Sequence, residues 1–435
     1  MNCDASLIAI AVEDDIHIHD TTDFSQVLIL KGHISHIDGL AFQPGKPKVL
    51  VSSAQNHRGG SHPAEPTIII WDLDEEASYP PIDDNVIRDI ASKATKMISK
   101  DLRETEHQLK LSTPESESLS SKIEPLISRI IKTHSISNKR TIHGRLGTSF
   151  QSRIFSPSGV QMIYQPGDRP RSNGNDIWDI KIYSMATHED VFTLSGHTDA
   201  IMWTGYSPDE KLIGTVAWDQ SMRIWDAATG QQKYKFETEQ QNWTGGFSPN
   251  SQMFAGTCGN GTVYVYSMSD GSTLVEEKLD EYSWIRALSW SPDNKTLAMG
   301  TGKFFLYDVE RKAIMQERIL SKDKSKMAEG MKSMIGLECV EVRFLDGGRK
   351  VVVLTSGDGG VEIYDLKTWE KWRFARPGVD EELGEEIPKD TDGKLVRGGY
   401  HMTVWEDTKR GKILIANVYG DAMRIWDVSI STEVS

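Results

Sequence analysis

Cysteine is scarce in this chain of 435 residues: Cys3, Cys258 and Cys339 stand far apart and are odd in number. They offer neither a zinc-ligand spacing nor a disulfide framework, which fits a reducing compartment. Positive charge is in deficit, since 49 Lys and Arg face 63 Asp and Glu, a net charge of −14. That balance argues against general binding to nucleic acid or anionic membranes. No apolar run approaches the ~20 residues that cross a bilayer. The opening stretch MNCDASLIAIAVEDD has no basic leader and reaches acids by Glu13, so it does not read as a secretory signal. The expected location is cytoplasmic or nuclear. Three Asn-x-Thr sequons, at Asn242, Asn260 and Asn294, then read as chance occurrences in turns, which favour Asn. There is no Walker-type phosphate loop; Gly357-Asp358-Gly359-Gly360 reads as a hairpin turn. No cofactor and no metal are expected.

What the chain does have is a repeat. Leu194 to Asp226 opens with Gly196-His197, closes with Trp225-Asp226, and carries a Ser207-Pro208-Asp209 turn between alternating apolar runs. Similar units follow: Gln241 through Phe247-Ser248-Pro249 to Tyr266, Trp284 through Trp290-Ser291-Pro292 to Asp308, Cys339 to Asp365, and His401 to Asp427. Upstream, one unit runs from Gly32-His33 to Trp71-Asp72 and another from Phe150 through Ser156-Pro157 to Tyr183. The first is fragmentary: Leu7 to Ala11 and Ile16 to Asp20 stand as its second and third strands, followed by Val27 to Leu30. Short runs rich in β-branched and aromatic residues, separated by Gly, Asp, Asn and Ser at near-regular spacing, predict one small antiparallel sheet per unit.

These units resemble the WD-repeat family, most specifically around Trp225 and at the pairs Trp71-Asp72 and Trp426-Asp427. The resemblance implies an all-β WD-repeat β-propeller. Eight units are counted, the first and last incomplete. They fit either an eight-bladed ring or seven four-stranded blades in which Val27 to Leu30 completes the C-terminal blade; we favour eight. The expected organisation is propeller over 1–74, a helical insertion over 75–138 and the remaining blades over 139–435, all in one toroidal domain. In the family a His–Ser/Thr–Asp–Trp hydrogen-bond chain often locks a blade, and His197, Thr215, Asp219 and Trp225 match its four positions. Such a set resembles a hydrolase triad, but its spacing reads as structural. The second unit keeps His33 and Trp71, with Asn56 to Pro66 displacing its acid.

The insertion carries Val86, Ile90, Ala94, Met97, Ile98, Leu102 and Leu109 at helical spacing, then a break at Ser112 to Ser116 and a second apolar series from Leu119 to Ile131. It predicts a helical hairpin that packs on the propeller, serves as a second docking element over 85–131, or orders only on binding. Ser321 to Gly336 reads as a mobile Lys- and Met-rich loop and Asp380 to Asp392 as a solvated acidic loop. His17 and His19 share a strand face but lack further ligands. Lys139, Arg140, His143, Arg145 and Arg153 form a loose basic cluster, read as solvated charge or, alternatively, as a phosphate or acidic-peptide contact.

In the resembling family, partners often dock on the face carrying the loops before each first strand. Transferring the offsets three and five beyond the Gly-His histidine, and the position just before the turn acid, gives His36, Asp38, Ser149, Gln151, Met202, Trp218, Gln241, Trp243, Trp284, Arg286, Glu338, His401 and Tyr419. Trp, Tyr and Arg are the types that dominate interface energies. The sequence therefore predicts a non-enzymatic scaffold that binds other proteins or peptides in a multiprotein complex. The alternative is a propeller hydrolase or lyase using His36, Asp38, Glu338 and His401 at a central channel.

Overall fold

The computed structural model describes residues 1–55, 66–78, 84–109, 126–128, 140–147, 151–170, 176, 178–279, 284–320, 339–355, 360–374, 398–407, 412–419 and 422–429. The loops at Ser321 to Gly336 and Asp380 to Asp392 lie outside these residues, as does the turn at Gly357. The chain forms two compact units: Met1–Leu146 with Pro166–Asp168, and Gly147–Gln165 with Arg169–Ser435.

The first unit contains a three-stranded sheet, β1 (Leu7–Val12), β2 (Asp15–Asp20) and β3 (Gln26–Lys31), in chain order. A second sheet begins with β4 (Ile37–Phe42), β5 (Val49–Ala54) and β6 (Thr67–Asp72). Its next strand is β7 (Arg140–Arg145), paired with β6. The helices α1 (Leu73–Ser78) and α2 (Asp84–Leu109) thus leave and re-enter within one sheet, between its third and fourth strands. Leu7, Ile16, Ile18, Leu30, Ile37, Leu50, Ile69 and Trp71 share one core. α2 is amphipathic, but its buried stripe is Ile87, Ala91 and Thr95, with Val86, Ile90, Met97 and Ile98 exposed. Of the second predicted helix, Leu126 to Ser128 is described and is helical.

The second unit starts with β8 (Gln161–Pro166), β9 (Trp178–Ser184) and β10 (Asp190–His197). Four-stranded sheets follow. The first is β11 (Ile201–Tyr206), β12 (Leu212–Ala217), β13 (Ser221–Asp226) and β14 (Gln232–Glu237); the next is β15 (Asn242–Phe247), β16 (Met253–Cys258), β17 (Thr262–Ser267) and β18 (Thr273–Lys278). Then come β19 (Ala287–Trp290), β20 (Thr296–Gly300), β21 (Lys303–Asp308) and β22 (Ala313–Ile319), and β23 (Cys339–Leu345), β24 (Lys350–Thr355), β25 (Val361–Asp365) and β26 (Lys371–Phe374). The last sheet is β27 (Gly398–Asp407), β28 (Lys412–Tyr419) and β29 (Ala422–Ser429). Phe155 makes only an isolated bridge to Met162, so the segment before β8 is not a regular first strand.

Burial explains the pattern along each sheet. Every residue of β12 and of β24 is buried, because second strands are covered on both faces and read as continuous apolar runs. The outer β14 (QKYKFE) and β18 (TLVEEK) are mostly exposed and charged, as edges that must not pair with other chains.

The Ser-Pro turns do more than reverse the chain. The Ser207, Ser248 and Ser291 hydroxyls donate to Asp209, Asn250 and Asp293 and accept the amides of Leu212, Met253 and Thr296 at 2.8–3.0 Å. The next residue of each turn (Glu210, Ser251, Asn294) has φ between 59 and 65°. Its side chain clasps the turn of the preceding sheet: Ser158 Oγ donates to Glu210 at 2.8 Å, the Asp209 amide to Ser251 Oγ at 3.0 Å and the Asn250 amide to Asn294 at 2.8 Å.

Candidate functional site

First strands of the second unit neighbour one another in the series β11, β15, β19, β23, β27. Where they begin, the pairing with the second strand slips: between Ile201 and Trp203, between Asn242 and Gly245, and between Cys339 and Glu341. The same slip occurs in the first unit between Ile37 and Gly39. A bulge leaves a residue unpaired and re-aims its side chain. The residues freed here include Met202, Trp243 and Asp38, three positions the sequence offsets selected.

Around this rim the second unit gathers four of the selected side chains. The Trp218 ring lies 5.3 Å from Trp243, edge to face at 64°, and Trp243 stacks on Trp284 at 4.6 Å and 25°. The Arg286 guanidinium sits 5.1 Å from the centre of Trp243 and 5.2 Å from that of Trp284. Edge-to-face and offset-stacked geometries suit the ring quadrupoles, and a cation over two indole faces adds about 0.5–2 kcal/mol per contact. Burial is graded: Trp243 is 6% exposed, Trp218 and Arg286 are half-buried, and Trp284 is 45% exposed. Trp218 and Met202 pack on the core of Trp178, Ile201 and Ala217. The Trp218 indole N–H is buried and has no hydrogen-bond partner among the described residues.

Backbone and hydroxyl bonds fix this cluster. The Trp218 amide donates to Ala200 O at 2.9 Å, the Gly259 amide to Gln241 O at 2.7 Å, and Thr257 Oγ1 to Ile285 O at 2.8 Å. Gly259 occupies in its sheet the position that Trp218 occupies in the preceding one. A Cβ there would stand 3.1 Å from Gln241 O and 3.5 Å from Trp284 Nε1. The missing side chain lets the Trp284 ring lie against the turn. Sequence offsets passed over Gly259, whose only signal was a small residue where the neighbouring repeat has Trp.

The other selected residues fall elsewhere. In the first unit His36 is exposed and Asp38 half-buried, accepting from Ser53 Oγ at 2.6 Å and from the Gln55 amide. Gln241 is exposed beside the cluster. His401 and Tyr419 lie on β27 and β28, whereas Glu338 and Ser149 are outside the described residues. Gln151 is turned away from any ladder: its Nε2 donates to Val342 O at 2.7 Å and its Oε1 accepts the Leu288 amide at 2.9 Å.

The four-residue chain in the unit around Trp225 is continuous. His197 Nδ1 lies 2.8 Å from Asp219, His197 Nε2 lies 2.7 Å from Thr215 Oγ1, and the Trp225 indole donates to the same hydroxyl at 3.1 Å. The donors sort in one way: Nδ1–H to Asp219, Thr215 O–H to Nε2, and Trp225 N–H to Thr215 oxygen. Thr215 is fully buried and His197 is 2% exposed. Every polar atom of the chain is used internally, and no substrate-facing nucleophile is left. Burial pulls the His197 pKa down against the opposing pull of Asp219. In the first unit, His33 and Trp71 meet on Ser52 Oγ at 2.6 and 2.8 Å. No group of three His, Cys, Asp or Glu side chains among the described residues is placed to hold a metal; His17 and His19 stack 6.3 Å apart. No described helix is long and apolar enough to cross a membrane.

A family profile described as "WD domain, G-beta repeat" matches residues 188–226. The protein HIR1 of Eremothecium gossypii is 28% identical over 117 residues, 24% of this chain and 14% of that protein. The histone acetyltransferase type B subunit 2 of Candida glabrata is 25% identical over 130 residues, 29% of this chain and 30% of that one. Human coronin-7 is 27% identical over 189 residues, 42% of this chain and 19% of that protein. The chain thus matches less than a third of the length of each of these relatives. The crystal structure of Saccharomyces cerevisiae Sqt1 superposes with a TM-score of 0.61 at 11% identity, covering 98% of this chain and 94% of that one. The fold is an all-β propeller. Residues 188–226 are those of a WD repeat, and the chain is similar to WD-repeat proteins over part of its length.

Proposed function

We propose that this protein is a non-enzymatic interaction scaffold of a multiprotein complex, located in the cytoplasm or nucleus. On this reading it binds a partner peptide or surface on the propeller rim around Trp218, Trp243, Trp284 and Arg286, with Met202 and Gln241 alongside. The observation that carries the reading is the exposed Trp284 face held rigid by buried Trp243 and by Arg286. Large aromatic area presented without rotamer freedom is what interface anchors supply, at about 2 kcal/mol or more each. That one similar protein is named as a subunit supports membership of an assembly. His36 and Asp38 in the first unit, and His401, Tyr419 and Glu338 further along the chain, remain candidate partner contacts in their own right. The stripe Val86, Ile90 and Met97 of α2, apolar yet exposed, supports a second docking element for an amphipathic partner.

The test is co-purification. Wild type and Trp284→Ala/Arg286→Ala, matched by circular dichroism, are compared by quantitative mass spectrometry of bound proteins. Loss of specific partners from the double variant is expected. An unchanged partner set refutes the assignment of this face.

A further inference from the structure

We propose that the groove between the β19–β22 sheet and the β23–β26 sheet is a separate binding site, which takes one large apolar side chain of an extended partner peptide together with a backbone carbonyl beside it.

The groove is a cavity of about 270 Å³, walled by Leu306 and Met315 of the first sheet and by Phe344, Leu366 and Trp369 of the second, with the turn residue Asp293 on its polar side. That volume falls just short of the roughly 300–1,000 Å³ that encloses a small-molecule ligand, and it suits a large side chain. The walls are open to a partner: Met315 is 46% exposed, and Phe344 and Trp369 are half-buried. One junction earlier, the corresponding groove has Lys312 where this one has Trp369.

Trp369 is an unusual residue for its place. Its amide donates to Asp365 O at 2.8 Å, and its φ is 61°. Gly230 and Gly271 make the same turn in two preceding sheets, with amide bonds of 2.8 and 2.9 Å to Asp226 O and Ser267 O. A bulky residue is held in the left-handed region at a cost. Here it sets an indole on the groove wall, with the Arg318 guanidinium 4.8 Å from the ring centre.

The second mark of the site is a bond that the protein leaves unmade. The turn amides of Ser158, Asp209 and Asn250 donate to the side chains of Glu210, Ser251 and Asn294, each from the following sheet. Asp293 holds the same place in the next turn. The ladder closes at Leu345 and Lys350 as it does at Ser291 and Thr296, which sets Gly348 in the place of Asn294. Gly348 has φ 96°, and a Cβ there would lie 3.1 Å from Pro292 Cδ, so the turn takes glycine and the cap is missing. Among the described residues the Asp293 amide has no hydrogen-bond partner. The Asp293 carboxylate is already committed, to the Ser291 hydroxyl and to the Lys295 amide at 3.0 Å. An incoming carboxylate would meet that charge, so a neutral peptide carbonyl is the acceptor that fits the amide.

Three probes test the site: N-acetyltryptophanamide, which carries a large side chain and carbonyls; 3-methylindole, which has the ring without them; and N-acetylglycinamide. Each is titrated into the full chain labelled at its methionine methyls, and the Met315 resonance is assigned from Met315→Leu. N-acetyltryptophanamide is expected to shift Met315 saturably. 3-Methylindole should bind at least about threefold more weakly for want of the amide bond, and N-acetylglycinamide should be inert. Trp369→Gly keeps the turn as Gly230 and Gly271 do, and it should weaken binding about tenfold or more. No Met315 shift in wild type overturns the proposal, whether or not Trp369→Gly folds. So does equal binding by a folded Trp369→Gly, and equal affinity for 3-methylindole overturns the peptide assignment. Met315 reports on this groove alone, so the outcome is independent of the partner face around Trp284.

Discussion

Thr215→Val is the sharpest probe of the chain that runs from His197 to Trp225. The substitution keeps the shape of a fully buried side chain and deletes one hydroxyl with two duties. Trp225 N–H loses its acceptor at 3.1 Å and His197 Nε2 loses its donor at 2.7 Å. Each orphaned buried group costs about 1–3 kcal/mol, so we expect a loss of about 3 kcal/mol, while Thr215→Ser costs far less. The pH dependence has a definite sign. Burial lowers the His197 pKa, so neutral His197 stabilises the fold above about pH 6.5, and this is lost as pH falls. Burial pushes Asp219 up, but bonds from His197, Ser221 and the Thr198 amide outweigh it and hold Asp219 at about 2. Its contribution is present above the ordinary carboxylate range and is lost as pH falls toward 2. Both groups act in the same direction, so acid destabilises. Urea unfolding followed by Trp fluorescence at pH 7.5, 6 and 4.5 measures this. A loss below about 0.5 kcal/mol for Thr215→Val, or midpoints rising with acid, would refute the reasoning.

Two further substitutions test how the sheets are joined. Asn294→Ala removes the clasp on the Asn250 amide and places Ala at φ 65°, so a loss of about 1–2 kcal/mol is expected, with Asn294→Gly losing less because it keeps the turn. Equal unfolding midpoints for wild type and Asn294→Ala would discount the clasp. At Gly300 a Cβ would lie 2.1 Å from Cys339 Cβ, so Gly300→Ala should cost more than about 2 kcal/mol by overpacking, and Cys339→Gly should relieve part of it. Thermal melts of the single and double variants show whether the two changes couple.

The sheets were legible because second and third strands are buried on both faces and so read as apolar runs, as in Ile413 to Ala416 or Val351 to Leu354. Outer strands were not, since β14 and β18 keep water on one side and resemble charged loops. The amphipathic period of α2 was legible, but the choice of stripe was not: Ile87 and Ala91 are buried while Val86 and Ile90 are exposed. A helix with apolar residues on two adjacent stripes carries no local sign of which one is covered. At the rim, Trp218, Trp243, Trp284 and Arg286 were each found by offset alone, because the repeat brings the start of its first strand and the end of its second to the same edge at a constant spacing; a bulge frees Trp243, whereas β19 pairs with β20 without one. Gln151 has the same offset and a different fate, since no regular first strand precedes β8. Of the basic cluster Lys139, Arg140, His143, Arg145 and Arg153, β7 carries Arg140, His143 and Arg145 in the first unit, Arg153 belongs to the second, and Lys139 lies outside the described residues.

The rim cluster separates two quantities that alanine substitution usually confounds. Trp243 is 6% exposed and carries rings and a cation on several sides, so Trp243→Ala opens a cavity and should cost about 3–5 kcal/mol of stability. Trp284 is 45% exposed, so Trp284→Ala forfeits one stacked face and one cation contact, about 1 kcal/mol. If the cluster is a binding face, their order reverses in affinity per unit of stability lost. Trp284→Ala should weaken partner capture about tenfold or more while leaving the melting temperature within a few degrees. Arg286→Lys tests the geometry of the same site, because a point charge cannot lie flat between two indoles as a guanidinium does. It should lower affinity with little change in melting temperature. A Trp284→Ala protein that melts far below wild type but binds as well would mean that the cluster packs the sheets together and that the partner meets another face.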